Sequence, residues 1–205
     1  MTSLPEDIER QSFEIIDGLV PEHDYSPAKW LIVRRMIHST GDVEFAKTTR
    51  FHADAVACGV KALKRGCTVI TDTQMLLAGI STGRLRKLGA KAICYISEDD
   101  VRADAVTKGI TRAMAAMDKA LPVMNGSIVA IGNAPTALLR LMEHVDNGLA
   151  SPALIIGLPV GFVNCFESKE MLASKSYPFI TSLGPKGGSG LAASVVNALA
   201  IMALQ

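Results

Sequence analysis

Of the four histidines in this 205-residue chain, one closes an apolar helical run and is placed to move a proton near neutral pH. That residue is His38, at the end of AKWLIVRRMIH, at helical spacing from Leu31 and from Arg34 or Arg35. A helix C-terminus presents the negative end of its dipole, which favours the protonated ring, whereas partial burial favours the neutral one. A general acid poised between the two is worth about 10²–10⁴-fold in rate. The plain alternative is a histidine that only caps the helix or lies in solvent. His23, His52 and His144 have no comparable context.

Other side chains could hold a ligand. Ser12 shares a helical stripe with Ile8, Ile15, Ile16 and Leu19 within residues 6–20, so its hydroxyl is expected to face inward. It either bonds back to the preceding turn or touches a ligand. Asp72 ends a β-rich apolar run and either caps the helix that follows or meets a ligand. Gly184, Pro185 and Lys186 lead into Gly187, Gly188, Ser189 and Gly190, which open the last helical run. Such a loop is a plain turn or a set of backbone N–H groups suited to a phosphate or carboxylate. It has neither the P-loop spacing nor that of the dinucleotide fingerprint. Arg112 lies in the helical stretch 100–120, roughly opposite Val106, Ile110, Met114 and Met117, and so projects to solvent or to a second subunit.

The elements that must position these residues alternate after a helical N-terminal quarter. Ser26 and Pro27 form an N-cap and first helical residue, and Gly41 is the expected terminator of that helix. Apolar runs at 67–71, 92–96, 127–131, 153–156 and 178–181 read as five buried strands. Helical stretches follow at 53–65, 72–80, 100–120, 134–146, 167–174 and 190–204. This pattern predicts one α/β domain over residues 1–205, a doubly wound five-stranded parallel sheet with extra N-terminal helices. The flavodoxin-like order 2-1-3-4-5 would put a ligand crevice beyond the first and third strands, at Thr71-Asp72-Thr73 and Gly132-Asn133-Ala134.

Composition excludes several classes. With 21 Lys and Arg against 20 Asp and Glu, the chain lacks the basic excess of a nucleic-acid binder. The basic stretch carrying Arg84, Arg86, Lys87 and Lys91 reads as an ordinary solvated face. The cysteines, Cys58, Cys67, Cys94 and Cys165, show no metal-ligand or disulfide pattern, and Cys67 and Cys94 read as small buried hydrophobes. No signal-peptide layout or membrane-spanning run is visible, so a cytoplasmic location is expected.

Seven collinear segments resemble the precorrin-8X methylmutase family, which includes the cobalt-precorrin-8 methylmutases. They are SFEII at 12–16, RMIHSTGDVEF at 35–45, TDTQML at 71–76, ITRAMAAM at 110–117, IGNAPTALL at 131–139, LIIGLPVGFVNCFESKE at 154–170, and GGSG at 187–190. The resemblance implies a flavodoxin-like homodimer that moves a methyl group from C11 to C12 of a corrin precursor, giving hydrogenobyrinic or cobyrinic acid in cobalamin biosynthesis. It implies His38 as the acid that protonates a ring nitrogen, Ser12 as a substrate contact, and Arg112 as an arginine that reaches a neighbouring subunit's site. The two residues after His38 vary within the family and receive no role.

An intramolecular 1,5-shift needs no cofactor and no resident metal. The acetate and propionate arms of the substrate give Arg35, Arg112 and the Gly187, Gly188 and Ser189 loop a use as binding residues, and Asp72 and Asn133 are further expected substrate contacts at the predicted crevice. A flavin- or nucleotide-binding oxidoreductase on the same fold is the rival reading, weakened by the missing phosphate loop. A receiver-like module would need an acidic cluster, and Asp72 is nearly alone.

Overall fold

The computed structural model describes the backbone of residues 5–205 and the side chains from Asp7 onward. Two helices come first, α1 (Pro5–Leu19) and α2 (Pro27–Thr40). Ser26 caps α2, accepting from the Lys29 amide, and Gly41 ends it with a left-handed φ of 69°. A single-turn α3 (Phe45–Thr48) leads into β1 (Thr49–Phe51), followed by α4 (Ala55–Lys64), β2 (Thr68–Thr71), α5 (Gln74–Gly79), α6 (Thr82–Lys87) and β3 (Lys91–Ile93). Then come α7 (Asp99–Lys108), α8 (Arg112–Ala120), β4 (Ile128–Ile131), α9 (Pro135–Asp146), β5 (Leu154–Gly157), α10 (Cys165–Ala173), β6 (Phe179–Ser182) and α11 (Ser189–Ala203).

The sheet is mixed and six-stranded, in the order β1-β6-β5-β4-β2-β3, which corrects the expected five-stranded parallel sheet; its parallel strands β2 to β6 keep the relative order 2-1-3-4-5, and β1 is added at the β6 edge. The additional strand, β1, pairs antiparallel with β6 from Thr49 opposite Ser182 to Phe51 opposite Ile180. Its three residues, Thr-Arg-Phe, are too few to show period-2 alternation. The other neighbouring pairs are parallel.

Side chains alternate across the strands and build a core on each face. On one face Val69, Ile128, Ala130, Leu154, Ile156 and Ile180 join α2, α4 and α11. On the other, Ile70, Val129, Ile131 and Ile155 meet α7, α8, α9 and α10. Every strand residue of β4, β5 and β6 is buried, as expected of a sheet covered on both sides. Among the described residues, no helix is long and apolar enough to cross a membrane.

Three expectations within the elements are corrected. The long helix expected at 100–120 is two, because Gly109 turns left-handed at φ 64° and Thr111 caps a new start by accepting from the Met114 amide. Val106, assigned to a buried face there, is exposed. The stripe on α1 faces outward: Ile8, Ile15 and Leu19 are 53%, 63% and 62% exposed, and Ile16 is the buried member. Cys67 and Cys94 are half-buried; desolvation pushes the Cys67 thiol up to about 11.

Candidate active site

The carboxyl ends of β2 and β4 meet around one carboxylate. Asp72 leaves β2 fully buried, and its Oδ1 accepts the Gly132 amide at 2.9 Å. Its Oδ2 accepts the amides of Asn133 at 2.8 Å and Ala134 at 2.9 Å. Burial pushes this carboxyl above the ordinary range, and the three amide donors pull the other way. The cap of α5 is therefore not Asp72 but Thr73, whose hydroxyl accepts the Leu76 amide at 3.1 Å. Asp72 presents no free oxygen. It shapes the turn that displays Asn133.

A second strand of connections joins that turn to the glycine loop. The Thr73 and Ser189 hydroxyls are 2.9 Å apart, so Ser189, itself buried, is already engaged. A Cβ on Gly132 would lie 2.7 Å from the Ser189 Cα, and one on Gly187 would lie 2.2 Å from the Pro159 carbonyl oxygen. Only glycine allows these backbones to approach so closely. The Gly188 amide donates to Leu158 O at 2.9 Å. The first amides of α11 have no partner within the helix.

His38 reaches the same edge through α2. Past its C-terminus, Asp42 and Glu44 pair with the Lys186 ammonium at 2.5 and 2.6 Å, tying the end of α2 to the residue before Gly187. Lys186 holds the Asp42 carboxyl below its usual range. The His38 ring is exposed and stands edge-on to Phe13 of α1, centroids 5.5 Å apart. Arg35 bonds Glu9 at 2.9 Å, and its guanidinium lies 5.2 Å from the Phe13 ring centroid. Its buried Nε has no partner among the described residues. Ser12 donates to the Ile8 carbonyl at 2.8 Å, the back-bonding alternative.

Arg112 begins α8 and is exposed. The Thr111 and Thr136 hydroxyls, 3.1 Å apart, bring that helix start beside the start of α9, hence to the rim that carries Asn133. Asp72 and Ser189 thus lie buried where the turn of Asn133 meets the Gly187–Gly188 loop, the Lys186 pairs tie the end of the His38 helix to that loop, and Arg112 starts a helix beside the start of α9. Thr73 and Lys186, which make these links, were placed by the sequence at the crevice and before the glycine loop but given no role of their own. A polar residue two positions after a strand gives no sign of a partner 116 residues away.

This edge is open. A cavity of about 740 Å³ lies elsewhere, between the α1–α2 loop, α3 and β1, where Tyr25, Lys29, Lys47, Arg50 and Phe51 line it. Among the described residues, no three His, Cys, Asp or Glu side chains gather as a metal site. At the first strand's turn, where a nucleotide phosphate would sit on this kind of sheet, stands the Asp72 carboxylate. It already occupies the Gly132, Asn133 and Ala134 amides, which opposes the flavin or nucleotide reading.

The precorrin-8X methylmutase family profile matches residues 7–202. The cobalt-precorrin-8 methylmutase of Leptospira interrogans is 40% identical, covering 98% of this chain and 96% of that protein. The cobalt-precorrin-8 methylmutase of Priestia megaterium is 43% identical over 99% of this chain and 90% of its own length. Among solved structures, the precorrin-8x methyl mutase of Thermus thermophilus superposes with a TM-score of 0.89 at 40% identity, covering 96% of this chain and 97% of that one. The oxidoreductase alternative has no support in these comparisons. With the match running through every element that builds the rim, the chain belongs to the precorrin-8X methylmutase family.

Proposed function

We propose that this chain is an isomerase of cobalamin biosynthesis that converts cobalt-precorrin-8 to cobyrinic acid by an intramolecular 1,5-shift. The bond from C11 to the methyl carbon breaks and one from C12 to the same carbon forms, so no atom is gained or lost. The observation that carries this reading is the family match along residues 7–202, with His38 on a rim that joins the carboxyl ends of β2 and β4. The cobalt form is preferred because several of the relatives bear that name.

His38 lends a proton to a ring nitrogen and recovers it after migration. Protonation withdraws electron density from the ring and lowers the barrier at the migration terminus. Being exposed at a helix end, the imidazole can meet a flat macrocycle laid across the rim. Arg35, whose Nε has no partner among the described residues, and the first amides of α11, which have none within the helix, suit the carboxylate arms. Asn133, Gly187 and Gly188 shape the contact surface. Asp72 and Ser189 act from behind it, since their own oxygens are engaged.

The working form is proposed to be a cytoplasmic homodimer, with Arg112 reaching the neighbouring copy's site. The outward stripe of α1 and the exposed Met75, Phe162 and Val163 support a second copy covering the open edge. Purified protein given cobalt-precorrin-8 should shift the visible spectrum to that of the cobyrinate product; an unchanged spectrum with both metal-free and cobalt substrate refutes the assignment. His38→Ala should abolish turnover yet bind coloured product, and near-normal rates in that variant would remove His38 as the acid.

A further inference from the structure

One lysine is wholly buried. Lys169 of α10 is 0% exposed, and its Nζ donates to the carbonyl oxygens of Lys186 at 2.7 Å and Pro159 at 3.2 Å. Among the described residues no carboxylate pairs with it; the neighbouring ionisable group is the Cys165 thiol one turn earlier. Burial pulls the ammonium below the ordinary lysine range. Burying an unpaired cation opposes folding, so packing alone does not account for it.

Its two acceptors belong to the two loops that the site needs together. Pro159 is the second residue of the β5–α10 connection, and Lys186 immediately precedes Gly187. These loops also touch through Gly188 N to Leu158 O at 2.9 Å and Gly161 N to Pro185 O at 3.1 Å. The Cys165 thiol donates to the same Pro159 oxygen at 3.2 Å. From Lys186 the connection continues through its own ammonium to Asp42 and Glu44, just past the helix of His38.

We propose that Lys169 is a positioning residue of the substrate site, a buried cationic rivet that holds the 158–161 loop against the Gly187–Gly188 turn and so sets where the first amides of α11 meet substrate carboxylates. It does not touch substrate. Its charge, bonded to the Lys186 carbonyl that leads into those amides, also adds a positive potential that favours a polyanionic ligand. The inference rests on the methylmutase reading.

The role predicts a split between binding and chemistry, because the oxygens that Lys169 bonds lie in the two loops and His38 stands on α2. Lys169→Met keeps the length and removes the donors and the charge. It should raise KM for cobalt-precorrin-8 and the Kd for cobyrinic acid about tenfold, the size of one lost charge-assisted interaction, and change kcat far less. In Lys169→Ala, millimolar n-propylammonium should restore product affinity where equal tetramethylammonium, which cannot donate, does not. If Lys169→Met does not fold, Lys169→Gln, which keeps one NH2 donor, should give an intermediate KM with unchanged kcat. Wild-type KM in a folded variant, an equal fall of kcat and kcat/KM, or rescue by both amines alike overturns the positioning role. A wild type that neither binds nor converts the substrate overturns the functional reading as well, and is told apart by that control.

Discussion

Helices α1 and α11 are both 15 residues long and carry aliphatic side chains, yet they lie in opposite surroundings. Leu191, Val195, Val196 and Leu199 of α11 are buried between the sheet and α2. On α1, Ile8, Ile15 and Leu19 face outward, and the helix is held to α2 by Phe13, Ile16 and polar contacts. The sheet accepts one layer of helices directly; α2 covers that layer, and α1 lies outside α2. An apolar stripe on an outer helix is left without a partner within the chain, whereas the same chemistry next to the sheet becomes core. The candidate acid lies between the two regimes, on α2 with its ring against α1.

The contrast can be tested from its strongest end. Leu199→Ala, in the inner layer, should destabilise by about 2–5 kcal/mol, read from urea unfolding. Less than 1 kcal/mol would mean the site collapses around the loss and the inner layer is not close-packed. Gly132→Ala comes next: its Cβ would stand 2.7 Å from the Ser189 Cα and push the start of α11 off the β4 turn. The expected cost is about 1–3 kcal/mol together with weaker product binding. A variant as stable and active as wild type would show that the close approach is not needed.

Asp17→Ala probes the outer layer's polar hold. That carboxylate accepts from Trp30 Nε1 and from Arg34, each at 2.9 Å, and its removal should cost about 1 kcal/mol and loosen α1 in hydrogen exchange. Unchanged exchange along α1 would assign the hold to Phe13 and Ile16 alone. Smallest in the monomer is Ile15→Lys, which should alter its unfolding free energy by no more than about 0.5 kcal/mol. Sedimentation should nonetheless show the assembly shifting to monomer; a dimer of wild-type strength would mean the stripe is not the covered face.

The parallel strands were legible because each is a short, continuous apolar run between turn residues, the signature of a sheet buried on both sides. β1 was not, since three residues carry no period and its pairing with β6 is made in space. The split of 100–120 was written in Gly109 and Thr111, but Val106 and Ile110 continued a helical stripe across them and masked it. For Asp72 the strand-end position was read and the partner was not. A carboxylate that could cap its own helix instead captures three amides 60 to 62 residues away, because the β2 and β4 ends are adjacent in the sheet.

By itself the sequence determined the α/β class, the cap and stop of α2 that set His38 at a helix end, and, through seven collinear motifs, the family. These are local or linear properties: periodicity, capping chemistry and residue order survive without coordinates. Tertiary structure alone decided which hydroxyls and carboxylates are already engaged, that the α1 stripe faces out, and that a buried lysine joins two loops of the rim. Each of those depends on which strands lie side by side and how many helical layers cover them, and distance along the chain says little about either.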